Sequence, residues 1–315
     1  MPNVPPFTLP FSPTPASMTP QDSSAGMADP IAPLGVEEYV EQAHFFGVLG
    51  ERLRQNSPVQ EVLSSVREET LATTKLPMAI DFLLAELRHA GVMGAAMTKL
   101  AHYFTPYQAY VVSEAENERG RFDLRIGLEI LRREALYRAG RSSDGGAAAL
   151  APSREGLFLY QFESVCRNRL GYDTGLAAIA GDPSYDDAWR KWIMDLRRQV
   201  GMVDVADLVY VHSEFYRMRS RDADDGAAPP LFGEREGRIA LANRRKDPML
   251  LFASLHRQLG YPETPRTELP DEEEALLPQL ARRCEQLEKR IKLLEEEQRG
   301  GVDLSKFYEK PPGAE

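Results

Sequence analysis

The chain has 315 residues, an ordinary apolar fraction of 43% and a net charge of −10. One or two domains with sizeable cores fit that length, and the acidic balance, with a sequence pI of about 5.2, argues against a chain given over to nucleic acid or to anionic membrane surfaces. Two cysteines, Cys166 and Cys284, are too few for a disulfide framework and point to a reducing compartment.

The first 34 residues are rich in Pro, Ser and Thr, and the first Lys or Arg is Arg52. Prolines break every apolar run here, so no secretory leader is expected. No segment has the length and apolarity of a transmembrane span, and the expected location is the cytoplasm. Such a lead cannot bury enough apolar surface to offset its ordering entropy and is expected to be disordered. Its Pro10-Phe11-Ser12-Pro13 has PxxP spacing, although a plain tether is the simpler reading.

From Val36 the pattern becomes helical. Helices are expected at about 36–55, 58–72, 77–90, 93–103, 106–118, 121–139, 154–170, 184–200, 248–259 and 272–298. Ser57-Pro58-Val59-Gln60 and Thr105-Pro106-Tyr107-Gln108 read as capping boxes with Pro at the first helical position, and Asp247-Pro248 as a cap without the box. Gly91, Gly171, Gly201 and Gly260 read as left-handed stops, each followed by an apolar residue placed to pack back on the last turn. These starts and stops predict an all-α, multi-helix bundle with short helix-turn-helix connections. The expected division is a helical lobe at 35–140, a flexible linker at 141–153, a second lobe at 154–265 with a flexible 220–230, a coiled coil at 270–299 and a tail at 300–315. Residues 208–216 are ambiguous. Their β-rich composition suits a small hairpin near 207–242, while Val205, Leu208, Val209 and Phe215 also fit a helical stripe beginning at Asp204.

Three groups of residues invite a chemical reading. Glu41-Gln42-Ala43-His44 and Glu86-Leu87-Arg88-His89 resemble the Glu-x-x-His spacing of ferritin-like di-iron bundles, with Glu68 or Glu69 and Glu114 or Glu116 as further carboxylates. Facing argues against it: Glu41 and His44 fall roughly 140–160° from the side defined by Tyr39, Val40, Ala43, Phe46 and Leu53, and His89 is similarly remote from Leu83, Leu84 and Leu87. Solvated residues are the expected outcome, with no metal or cofactor. Second, Arg235, Arg238, Arg244, Arg245 and Lys246 read as a basic loop that precedes a helix start and could contact an anion. Interleaved Glu234 and Glu236, with Asp247 at the cap, favour structural ion pairing instead. Third, His102, Tyr103, Phe104, Tyr107 and Tyr110 suit an aromatic core at a turn, and Cys166 shares a helical line with Leu159, Phe162 and Leu170, so a buried thiol is expected rather than a nucleophile. No catalytic residue is assigned.

The C-terminal segment carries three heptads. Leu277, Cys284 and Ile291 fall at a; Leu280, Leu287 and Leu294 fall at d; Arg283 and Arg290 occupy g, and Glu288 and Glu295 occupy e. A parallel homodimer sets each g arginine against the partner's next e glutamate, while an antiparallel one brings like charges together. Leu293 at c and Pro278 near the start suit the competing arrangement, a helix folded back on its own body. The expected function is non-catalytic: a homo-oligomeric adaptor or regulatory protein whose partners are a second copy of itself and an unidentified protein, with no membrane. A helical enzyme or ligand-binding domain with a dispersed site is one alternative. A nucleic-acid or anion binder using 235–246 is the other.

Overall fold

A side chain at the N-cap position starts seven of the helices in the computed structural model, which describes residues 32–55, 57–117, 122–141, 151–220, 229–266 and 291. Thirteen helices and no strand occur among these residues: α1 (Val36–Arg54), α2 (Val59–Glu69), α3 (Leu76–Ala90), α4 (Met93–Lys99), α5 (Pro106–Ala115), α6 (Leu124–Arg138), α7 (Arg154–Arg167), α8 (Tyr172–Ala180), α9 (Asp187–Gln199), α10 (Val205–Val211), α11 (Glu214–Arg219), α12 (Glu234–Asn243) and α13 (Pro248–Leu259). The all-α multi-helix reading holds. The Pro-rich lead, most of the 141–153 and 220–230 segments and the tail lie outside the described residues. So does the C-terminal coiled coil, apart from the single helical residue Ile291.

Thr105 makes the full capping box on α5: its hydroxyl accepts from Gln108 N, and Gln108 Oε1 accepts from Thr105 N. Asp247 accepts from Met249 N at the start of α13. Gly91 and Gly260 take the left-handed conformation at φ 72° and 64°, and Tyr261 packs back as expected, 1% exposed. Other ends differ. Ser57 forms no cap; α2 begins a residue later with Pro58 at its N-cap. Gly171 does not stop α7. Arg169 makes the left-handed turn at φ 53°, and Gly171, at φ −62°, is the N-cap of α8, a helix that composition had not marked. Tyr172 and Met202 stay exposed instead of folding back.

The hairpin alternative at 207–242 is not formed. Asp204 caps α10 by accepting from Ala206 N, and Ser213 caps α11 by accepting from Tyr216 N, so local side-chain bonds favour helix. What remains of strand pairing is one isolated bridge, Ser213 with Phe232. It seats Phe232 among Trp189 and Trp192 at ring-centroid distances of 5.3 and 5.2 Å.

Helix α1 lies along α6, and α5 and α7 also contact α6. Ten consecutive residues of α7, Gly156–Val165, are buried, so this helix is enclosed on all sides. Its Phe158 and Phe162 meet Trp192 of α9 and Phe252 of α13 edge-on. Each large apolar side chain buried in this way contributes about 1.5–3 kcal/mol relative to exposure. One hydrophobic cluster runs from Phe45 to Tyr261. Helices α10 to α12 form an outer group against α13.

Candidate functional site

A helix buried all round brings its polar residues in with it, and α7 carries Gln161, Glu163 and Ser164 inside. Buried polar groups need partners. Gln161 finds its partners on α6 and on the loop after α8. Its Nε2 donates to Glu134 Oε1 at 2.7 Å and lies 3.3 Å from Asp182 Oδ2, while its Oε1 accepts from Tyr185 Oη at 2.8 Å. Arg138, one turn beyond Glu134, donates to Glu134 Oε1 at 2.8 Å and to Ser184 Oγ at 2.8 Å, and it pairs closely with Asp182. Asp182 also accepts from Ser184 N at 2.9 Å. The chain of bonds continues toward α1. Gln108 Nε2 donates to Gln42 Oε1 at 3.0 Å and lies 3.5 Å from Glu134 Oε2, and Gln42 Nε2 donates to the Tyr103 carbonyl at 3.2 Å. The Arg138 guanidinium sits 5.6 Å from the centre of the Tyr39 ring.

This network joins α1, α5, α6, α7 and the 182–185 turn around one cation and two carboxylates. Side-chain exposure is 4% for Arg138 and 0% for both acids. Burial alone would lower the Arg138 pKa, but the flanking Asp182 and Glu134 drive it well above the ordinary arginine value. Burial pushes up both acids; Arg138 and the Ser184 bonds outweigh this at Asp182, whose pKa falls below the usual aspartate value. At Glu134 burial and the Asp182 charge prevail over Arg138, and its pKa rises. Tyr107, fully buried nearby, has a hydroxyl with no hydrogen-bond partner among the described residues. A smaller cluster clasps the end of α13: Glu163 accepts from Arg167 Nε at 2.5 Å and from Tyr261 Oη at 2.8 Å. A groove of about 520 Å³ runs along α1 and α6 and is lined in part by His44, Gly47, Arg125 and Glu129; it reaches none of the network residues.

The residues singled out by sequence are dispersed. Glu41 is buried, not solvated, because α1 is covered on nearly every side, and its Oε2 caps Leu71 N at 3.0 Å. His44 and His89 are exposed. Glu86 pairs with Lys99 and Glu69 with Arg52. Glu116 accepts from Met93 N and Gly94 N at 2.6 and 2.8 Å, capping α4. Among the described residues no group of His, Cys, Asp or Glu could hold a metal ion. Tyr103, Phe104, Tyr107 and Tyr110 are buried as an aromatic core, with His102 outside it. Cys166 is partly buried, and burial pushes its thiol up to about 12.

The basic stretch is not a loop. Arg235 and Arg238 stand on α12, and Arg244, Arg245 and Lys246 form the turn after it. Arg238 pairs with Glu234 and Arg244 with Asp207, while Glu236 is buried. Arg245 holds φ 60° and donates its backbone N–H to Asp204 at 2.6 Å.

Sequence reading missed Glu134, Arg138, Gln161 and Asp182. The signal lay in Gly156–Val165, GLFLYQFESV, where a helix without a polar face encloses a glutamine and a glutamate that must then be satisfied internally. No helix among the described residues is long and apolar enough to cross a membrane. No protein-family model matches the chain, and comparison with curated proteins and with solved structures finds no similar one.

Proposed function

We propose that this chain is a non-catalytic, self-associating adaptor or regulatory protein: a helical body joined to a C-terminal helix that pairs with a second copy, with the ends of the chain recruiting a protein partner. The observation that carries this reading is the heptad pattern from Leu277 to Leu294, with Arg283 and Arg290 at g set against Glu288 and Glu295 at e. Ile291 at a, 55% exposed, is an apolar side chain of the kind such pairing covers. The last described residues of the body are held in place. Arg133 Nη1 donates to the Glu263 carbonyl at 2.8 Å and Asn168 Nδ2 to the Pro265 carbonyl at 3.0 Å, tying the end of the body to α6 and α7.

In a parallel pair Cys284 lies beside its mate across the two-fold axis. Mild oxidation of the full chain yields a reducible dimer that Cys284→Ser abolishes and Cys166→Ser does not. Mass measurement under reducing conditions completes the test: a strict monomer at tens of micromolar overturns self-association.

A further inference from the structure

Three of the four cation–ring contacts among the described residues fall on one outer face, that of α10, α11 and α12. Arg219 and Arg238 both lie over the Phe215 ring, at 5.7 and 5.5 Å from its centre, and Arg244 lies 5.7 Å from the centre of Tyr210. Tyr210 touches Phe215 and Tyr216 edge-on at 6.4 and 5.2 Å. The result is one continuous strip of rings and guanidinium planes. Helix α11 has no buried residue, Tyr216 is 37% exposed, and Arg219, Arg238 and Arg244 are exposed. The underlying packing is tight: a Cβ on Gly237 would collide with the Ser213 side chain and come within 2.9 Å of the Phe215 Cβ. The strip is therefore held in place from below.

Two kinds of cation occupy it. Arg238 and Arg244 are paired with Glu234 and Asp207, which fixes their planes. Arg217, Arg219, Arg235 and Lys246 are exposed and make no ion pair with another described residue. The acids of this face, Glu234 and Asp207, are taken up by Arg238 and Arg244, and although Glu214 and Asp247 stand among them, these four cations are the groups placed to meet an anion.

We infer that this face binds single-stranded nucleic acid, with bases stacking on Tyr216 and on the outer faces of the ring-held guanidiniums, and phosphates meeting the unpaired arginines and Lys246. The interleaving decides between anions. An acidic peptide needs charge alone, whereas an unpaired base has a flat face that aromatic and guanidinium planes match. Duplex hides the flat faces of its bases, leaving phosphates, sugars and groove edges, so it offers these planes nothing to stack on.

The test is fluorescence anisotropy of labelled mixed-sequence 20-nucleotide RNA and DNA strands with the full chain, beside the same sequence as duplex and beside poly-glutamate. Single strands are expected to bind with roughly micromolar affinity at about 50 mM salt and to weaken steeply as salt rises. Tyr216→Ala weakens the single strand about tenfold and leaves any duplex binding unchanged. Arg217→Ala/Arg235→Ala flattens the salt dependence, and both variants are expected to melt with the parent because these side chains are exposed. Three results overturn the inference: no anisotropy change at about 100 µM protein, binding that both variants leave intact, or poly-glutamate bound as tightly as RNA. The last would assign the strip to an acidic protein partner. None of these outcomes depends on whether the C-terminal helix pairs.

Discussion

Arginine meets carboxylate in two parts of this molecule, and solvent makes the two meetings different things. In the core, Arg138 joins Glu134 and Asp182 with almost no exposed surface. On the outer face, Arg238 and Glu234 retain 65% and 42% of their side-chain exposure. Water screens the second pair and leaves its net contribution near zero. For the first, desolvation is a large opposing term, and the arrangement holds only because Gln161, Gln108, Ser184 and Tyr39 complete the shell around the charges. The core triad fixes the relation of α6 to the 182–185 turn, while the outer pairs orient planes that remain open to a ligand.

Removing the shared cation should separate the two regions most sharply. Arg138→Met leaves two buried carboxylates without a counter-charge and should destabilise the fold by about 3–5 kcal/mol in chemical denaturation. A loss below about 1 kcal/mol would mean that water reaches the triad and that the two regions do not differ.

A smaller effect tests the acid side. The lowered pKa of Asp182 contributes stability that is complete above the ordinary aspartate value, about 3.9, and is lost as pH falls through the lower folded value. Glu134 has the opposite sign: its raised folded pKa subtracts stability as pH rises through that value, so acid relieves it. Asp182→Asn should therefore lower the melting temperature at pH 7 and flatten its fall below about pH 4. Melting curves that stay parallel to the parent from pH 7 to pH 3 would remove Asp182 from the linkage.

The smallest effect belongs to the surface. Arg238→Ala should change stability by less than about 1 kcal/mol, and raising salt should erase the difference. A clear, salt-independent loss would show that the Phe215 strip supports the fold rather than facing a ligand.

These contrasts also mark what the sequence could reveal. Thr105, Gly91 and Gly260 carry their instructions in one side chain or in its absence, and the corresponding helix ends are legible. Gly171 carries less. Where two helices abut, a glycine can end the first or begin the second, and here Arg169 takes the strained turn, freeing Gly171 to start α8. The spacing of Glu134 and Arg138, i to i+4, is that of countless solvated pairs. Their burial depends on α1, α7 and the 182–185 turn closing over them, a tertiary fact that no window of α6 contains. Glu41 was misplaced for a related reason: an amphipathic construction assumes one dry side, and α1 has more than one.

Asp182 stands 44 residues beyond Arg138. Ribosomes add about 5–20 residues per second, so a nascent chain holds the finished α6 for roughly 2–9 s before the acid that completes its charge balance has been added. Through that interval the guanidinium and Glu134 have reason to remain hydrated, and the surfaces of α1, α5 and α6 that surround them have reason to stay parted. The contacts that complete the charge balance around Arg138 thus come from the second half of the chain, and the N-terminal helices by themselves lack them.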